Sequence, residues 1–515
     1  MSTHLKTIFS VTVIGLMARL VSLISVQLYM AFYGPLDVAL NIYSFALYIP
    51  NTVFSVLWTA IIAIVVPIYS GLLAKKEEAQ AKAFLNDMIT IIALAMVAFI
   101  GLGILVAPLI AGFTQYRHVA ADFEFLVFAL RVMFLVVFFY GLQYIFQGFL
   151  HSHGKVRLPA FVAVPSGLII IAYVVFLGDT FGVTGLLFAT VLGLSTQAFL
   201  LLPAAIKNGL RYKPSLNFKS PEVRRAGLLF VPILVSGLSF QANMIFNASL
   251  ATYFNAVTIL NFVQNLILVI ILTIVYSITA VFLPKLSGLW AVEDKVGFGN
   301  TLRSIIMLII FLLLPATAGL FMLRFEIIHF LVQWGNFDLA SAQIAATMLG
   351  FYSLGIIAIG FKEILDRAFY AQKNSKFPAL FTFVIMVVNV IFCLTFIGRL
   401  GVFTMAIGFP ISTTVGVIGL LIIQNKRVGV FNQQVLQTAA KVLGATVIMV
   451  GALYLALPVL RSVHLPGEVL TRAFMLFVPT LGGILVYFVC AYFLGISQVR
   501  DVMQAIKNKM RMGQK

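Results

Sequence analysis

Apolar residues along this chain come in long blocks, not in the alternating stripes of a soluble fold. Fourteen segments, each at least 21 residues long, are separated by short polar stretches: 7–33, 38–73, 87–113, 125–149, 158–178, 182–206, 226–253, 257–284, 302–324, 339–366, 378–398, 402–424, 437–459 and 473–495. About twenty helical residues, rising 1.5 Å each, cross a ~30 Å hydrocarbon core. The pattern predicts an all-α membrane protein with about 14 transmembrane helices. Met1 to Lys6 is short and polar, and the run after it is too long for a signal core and lacks a small-residue cleavage site. The first helix is therefore expected to be retained.

Composition agrees: 62% of the 515 residues are hydrophobic and 10% charged, where a soluble chain has about a quarter charged. The net charge of +18 would suggest nucleic acid in a soluble protein. Its distribution points elsewhere. Of 34 Lys and Arg, 26 fall in the two ends and the loops of one side. Five (Arg117, Arg324, Arg399, Arg461 and Arg472) fall on the other side, and three (Arg19, Arg131 and Lys362) lie within segments. A missed or invented helix would scramble that asymmetry, so the positive-inside rule places both termini in the cytoplasm. Orientation accounts for the basic excess, and no nucleic-acid partner is needed. Cys393 and Cys490 both lie in apolar segments and read as small buried hydrophobes.

The chain also repeats itself. Val66-Pro67-Ile68-Tyr69-Ser70-Gly71-Leu72 is echoed 217 residues later by Leu283-Pro284-Lys285-Leu286-Ser287-Gly288-Leu289. The loop ending in Pro159-Ala160 is echoed, at an offset of 219, by the loop ending in Pro378-Ala379. Six helices separate the copies, and an even number preserves orientation. The expected organisation is a half at 1–222, a parallel half at 223–434, and two further helices with a basic cytoplasmic tail at 435–515, with a substrate path between the halves.

Polar residues inside the segments are the candidate chemistry. Arg19 lies midway along the first segment, where a charge costs on the order of 3 kcal/mol and should face water or a partner. A guanidinium fork suits a phosphate; anchoring to helix carbonyls is the alternative. Gln241, Asn243, Asn247, Asn261, Gln264 and Asn265 follow i, i+3, i+4 spacing within two helices. Neutral amides suit sugar hydroxyls, and interhelical polar contacts are the rival reading. Lys362 with Asp366 and Glu363 with Arg367 form opposite-charge i, i+4 pairs. Structural pairing with snorkelling is one reading, a gating or coupling role the other. His151 and His153 alone do not make a metal site, and Lys75-Lys76-Glu77-Glu78 reads as a solvated run. Phosphate-loop, HExxH and GxSxG signatures are absent. The reading is a transporter, not an enzyme, with no cofactor.

Several stretches together resemble the MurJ/MviN lipid II flippase family, within the superfamily of polysaccharide-unit flippases and multidrug exporters. They are Met17-Ala18-Arg19-Leu20, Ile49-Pro50-Asn51, Gly148-Phe149-Leu150, Gln241-Ala242-Asn243, Gly335-Asn336-Phe337 and, most specifically, Arg367-Ala368-Phe369-Tyr370-Ala371-Gln372-Lys373-Asn374-Ser375-Lys376-Phe377-Pro378. The resemblance implies a flippase moving an undecaprenyl-pyrophosphate-linked peptidoglycan precursor, lipid II, from inner to outer leaflet. It also implies a monomer in the bacterial cytoplasmic (inner) membrane serving cell-wall biogenesis, with membrane lipids and a polyprenyl-linked glycan as partners. Helices 13 and 14 would offer a groove to the lipid tail. The expected substrate-binding set is Arg19, Asn41, Asn51, Gln241, Asn243, Asn247, Gln264 and Asn265; the gating set is Lys362, Glu363, Asp366 and Arg367. Departures are specific. Ser25, Phe54 and Asn265 stand where the family carries further cavity arginines, Asn41 replaces an acidic residue, and Asn247 and Cys393 replace carboxylates. A flippase for an exopolysaccharide or O-antigen unit therefore remains open, as do an ion-coupled drug exporter and a non-transporting scaffold.

Overall fold

The computed structural model describes residues 3–463 and 465–499, without side chains at 3–9, 12, 57–60, 62–63, 229, 231–236, 272, 276 and 280–281. The expected basic tail from Arg500 onward lies outside them. Among the described residues all the regular secondary structure is helical. In order the helices are α1 (Thr3–Tyr33), α2 (Val38–Ala74), α3 (Glu78–Gly112), α4 (Ala120–Phe134), α5 (Val136–Ser152), α6 (Arg157–Phe161), α7 (Ala163–Lys207), α8 (Pro221–Thr252) and α9 (Val257–Ala291). They continue as α10 (Lys295–Met322), α11 (Arg324–Leu331), α12 (Leu339–Ser353), α13 (Ile356–Ala371), α14 (Lys376–Leu400), α15 (Thr404–Val428), α16 (Gln433–Arg461) and α17 (Glu468–Phe493). Nine helical stretches among the described residues are long and apolar enough to cross a membrane, ten with α12 and α13 taken as one span bent by 43°.

Burial is arranged for a lipid solvent. On α3, Leu94, Val97, Leu102, Leu105 and Leu109 are exposed, a face that water would not tolerate at this length. The few acidic residues sit largely at helix starts. Asp37, Asp294 and Asp338 accept hydrogen bonds from the N–H groups of Leu40, Gly297 and Ser341, at 2.8, 2.7 and 2.8 Å. The Ser341 hydroxyl and N–H hold Asp338 below the usual carboxylate range. Prolines within helices free carbonyls that lipid cannot satisfy, and other side chains answer them. Pro315 leaves the Phe311 carbonyl without its i+4 donor, and the Tyr487 hydroxyl donates to it at 2.7 Å.

The chain divides into two compact units, 1–258 with Trp334–Phe337, and 259–333 with 338–515. In the first, α2 packs against α4, α5 and α8, and α7 against α1 and α5. In the second, α10 packs against α13 and α16, α14 against α15, and α11 against α12 and α17. Compact units and sequence repeats are different divisions. Helix α8, the first of the expected second half, packs in the first unit along α2.

Backbone geometry carries the repeat further than the sequence echoes do. Positive-φ residues recur in pairs: Gly34 with Asn255, Lys76 with Glu293, Gly154 with Lys373, Gly182 with Gly401, and Gly209 with Gly429, at offsets of 217 to 221. Helices α4 and α12 begin and end 219 residues apart. Gly182 (φ 56°, ψ −152°) kinks α7 between the expected fifth and sixth segments, and Gly401 (φ 55°, ψ −135°) parts α14 from α15. Only glycine readily adopts this region. A Cβ at Gly182 would meet nothing within 4 Å, so the penalty for Gly182→Ala is backbone strain alone, about 1–3 kcal/mol. Thermal unfolding in detergent should show that loss for Gly182→Ala. Gly71→Ala, equally open but helical, should be neutral or stabilising. Equal effects at both positions would contradict the backbone account.

Candidate functional site

Along α2, Asn41, Ser44, Tyr48, Thr52 and Ser55 recur at steps of three and four, so they share one face. In an apolar span such a stripe must be answered by polar partners. Ser55 Oγ accepts from Gln241 Nε2 of α8 at 2.8 Å. Tyr48 hydrogen-bonds Thr52 within the helix. Ser44 Oγ lies 2.7 Å from Thr258 Oγ1. Asn51 sits beside the stripe, half-buried. Asn243 and Asn247 of α8 are buried at 1% and 0% exposure. The structure thus gathers Asn41, Asn51, Gln241, Asn243 and Asn247 on the paired helices α2 and α8 of one unit. Gln264, Asn265 and the charged quartet fall in the other.

Asn41 is fully buried and held within the protein. Its Nδ2 donates to the carbonyls of Pro35 and Asp37 at 2.9 and 2.8 Å, and its Oδ1 accepts from the Thr258 N–H at 3.0 Å. That geometry fastens the start of α2 to the start of α9 and leaves no amide atom for a substrate in this conformation. The expectation of Asn41 as a binding residue becomes one of a structural clamp.

Arg19 of α1 is exposed and makes no hydrogen bond or ion pair with the described residues. At 100° per residue, Gly15, Ser22 and Val26 lie within about 60° of it, as does exposed Leu16, while exposed Val13, Met17, Leu20 and Ile24 lie about 100–160° away. The guanidinium therefore sits at the edge of the apolar exposed sector. Two of the three positions expected to have lost arginines are buried: Ser25 is 4% exposed, its Oγ donating to the Ser22 carbonyl, and Phe54 is 1% exposed against the Phe99 ring, whereas Asn265 is exposed. Cys393 is fully buried near Asn389.

In the second unit, Gln264 Nε2 donates to the Tyr352 hydroxyl at 3.1 Å, and Asn265 Nδ2 to its own helix at the Asn261 carbonyl. Both expected ion pairs form on α13. Lys362 Nζ lies 2.6 Å from Asp366, with both side chains largely buried, and Arg367 lies 3.6 Å from Glu363. Two further groups carried no signal that sequence reasoning used. Asp87 accepts from the Ser215 hydroxyl at 2.6 Å and the Asn217 N–H at 3.2 Å, clasping the segment before α8. Arg461 and Arg472, counted above only as exceptions to the charge rule, pair with Glu326 and Glu468. Among the described residues no group of three or more His, Cys, Asp or Glu could hold a metal.

Known proteins bear on this arrangement. The family described as lipid II flippase MurJ matches residues 36–475. A probable lipid II flippase MurJ of Bdellovibrio bacteriovorus is 26% identical over 401 residues, 76% of this chain and 75% of that protein. One of Vibrio cholerae is 25% identical over 342 residues, and the alignment spans 65% of either chain. Among solved structures, a lipid II flippase MurJ in an inward closed conformation aligns over 96% of this chain and 99% of its own, with a TM-score of 0.76 at 21% identity. An inward-facing multidrug MATE transporter aligns over 78% of this chain and 94% of its own, with a TM-score of 0.61 at 16% identity.

Proposed function

The chain belongs to the lipid II flippase MurJ family, and on that premise we propose that it carries lipid II from the inner to the outer leaflet of the bacterial cytoplasmic membrane. The observation that carries this reading is the family match over residues 36–475, joined to a flippase fold that aligns over 96% of the chain. It is a membrane transporter and not an enzyme, with a polyprenyl-linked glycan as cargo.

Fourteen crossings with both ends cytoplasmic remain the topology we propose. Two of the nine apolar stretches, of 51 and 53 residues, are about twice what one crossing needs, and they divide at Gly182 and Gly401. Counting each as two, with the bent α12–α13 pair and with α2 and α8, supports fourteen. The paired left-handed residues support repeats at 1–222 and 223–434, with α16 and α17 outside them. Rocking of the two repeats would expose the headgroup to each side in turn. Arg19 would take the pyrophosphate, and amides from Asn51, Gln241, Asn243, Asn247, Gln264 and Asn265 the sugar and peptide groups. The ion pairs Lys362–Asp366 and Glu363–Arg367 would bias one state. The drive would come from membrane potential or an ion gradient.

A second reading has one observation in its favour: Ser25 and Phe54 are buried, without charge, where further cavity arginines are expected. Fewer cations suit a less anionic lipid-linked oligosaccharide. One experiment separates the two. The chain is expressed in a bacterium depleted of its own lipid II flippase, and lipid II translocation is followed in vesicles of the purified protein. Growth and translocation are expected. Failure of both, with the protein folded and inserted, would move the assignment to another lipid-linked glycan.

A further inference from the structure

A cavity of about 380 Å³ lies in the second unit, bounded by α11, α12 and the facing ends of α16 and α17. Its chemistry lies apart from the residues invoked for transport. Glu326 of α11 is 6% exposed, and Arg461 of α16 directs both Nε, at 3.0 Å, and Nη2 to the same carboxylate oxygen, Oε1. The other oxygen, Oε2, is buried without a hydrogen-bond partner among the described residues. Arg472 of α17 is also 6% exposed and donates to the carbonyls of His329 and Gln333 and to Glu468. On the other side of the pair, the Arg461 side chain is 54% exposed and its Nη1 makes no hydrogen bond with the described residues.

These charges select an occupant. A simple cation at Glu326 would bring no anion to the outward-facing Arg461. A simple anion at Arg461 would leave the buried Oε2 still without a donor, at the cost such an orphan carries. A zwitterion answers both, its negative end on Arg461 and an N–H-bearing cation on Oε2. The wall of the cavity is partly apolar: Phe325, Leu339 and Met475 line it, and Phe325 and Leu339 are 38% and 61% exposed.

We propose that this cavity binds the headgroup of an ethanolamine phospholipid, phosphate to Arg461 and primary ammonium to Glu326, with the acyl chains leaving past Phe325, Leu339 and Met475. In the proposed topology the site is at the outer leaflet. An ammonium offers three N–H donors; the quaternary nitrogen of choline offers none, and a glycerol headgroup has no cation.

The test is native mass spectrometry of the full chain released from nanodiscs holding phosphatidylethanolamine, phosphatidylcholine and phosphatidylglycerol of identical acyl chains in equal amounts. The ethanolamine lipid is expected to be retained about tenfold over each of the others, the ratio one charge-assisted hydrogen bond confers. Glu326→Gln and Arg461→Gln should each bring the ratio near one. Arg461 is half-exposed, so its variant keeps the test informative if Glu326→Gln does not fold. Equal retention of the three lipids, preference for the glycerol lipid, or an unchanged ratio in Arg461→Gln would overturn the assignment. Displacement by soluble phosphoethanolamine as effective as by a short-chain ethanolamine lipid would overturn the lipid as its source. No transport is measured, so failure here is separate from failure of the flippase reading.

Discussion

Asn41→Leu is expected to lower stability by about 3–5 kcal/mol, among the largest losses a single substitution produces. The leucine fills similar space but leaves the Thr258 N–H and the Pro35 carbonyl buried without the partners they have at 3.0 and 2.9 Å. Each orphaned buried group costs roughly 1–3 kcal/mol, and lipid offers no water to repair it. Asn41→Asp keeps an acceptor for Thr258 but loses both donors and buries a charge, so it should also destabilise. The check is thermal unfolding of the substrate-free protein in detergent, beside lipid II binding by the folded fraction. A melting curve like that of the parent, with weakened binding, would return Asn41 to the substrate site.

That residue marks where sequence reading stops. An asparagine at the start of an apolar segment looks the same whether it faces a sugar or a backbone amide. Its partner, Thr258, is 217 residues away, and only the fold joins them. Hydropathy found the apolar segments because solvation in lipid acts on blocks of residues, and each expected segment is helical in the structure. It did not find the breaks at Leu135, which parts α4 from α5, and at Leu354-Gly355, which part α12 from α13. A leucine within an apolar run carries no trace of a bend, and a lone glycine in a helical pattern such as Gly355 is only a weak one. The repeat was legible in two short echoes, whereas the left-handed turns at Lys76, Glu293 and Lys373 fall on residues with no turn signature. The α13 ion pairs were readable because i, i+4 spacing is local. The Glu326–Arg461 pair was not, since its members lie 135 residues apart and α11 is too short and polar to register as a span.

Arg19→Ala should cut lipid II binding and translocation about 10- to 100-fold while leaving stability unchanged. The two halves of that expectation rest on separate observations. Arg19 is exposed and makes no hydrogen bond with the described residues, so alanine removes nothing the fold depends on. Removing a mid-span charge also lifts an insertion cost of about 3 kcal/mol, so membrane levels should hold or rise. Against that, a charge-assisted bond to a phosphate contributes roughly 1.5–3 kcal/mol, which converts to the stated loss. Ser25 and Phe54 are buried and uncharged, so neither can substitute for the missing cation. Arg19→Lys should fall between, because an ammonium keeps the charge but not the planar fork that meets two phosphate oxygens together. The measurements are thermal unfolding, binding of labelled lipid II, and translocation in reconstituted vesicles at two salt concentrations. Binding within about twofold of the parent in Arg19→Ala would remove this guanidinium from the headgroup site, since even the weaker end of such a bond exceeds that. A parallel fall in melting temperature would instead place Arg19 among the groups that hold α1 in the fold.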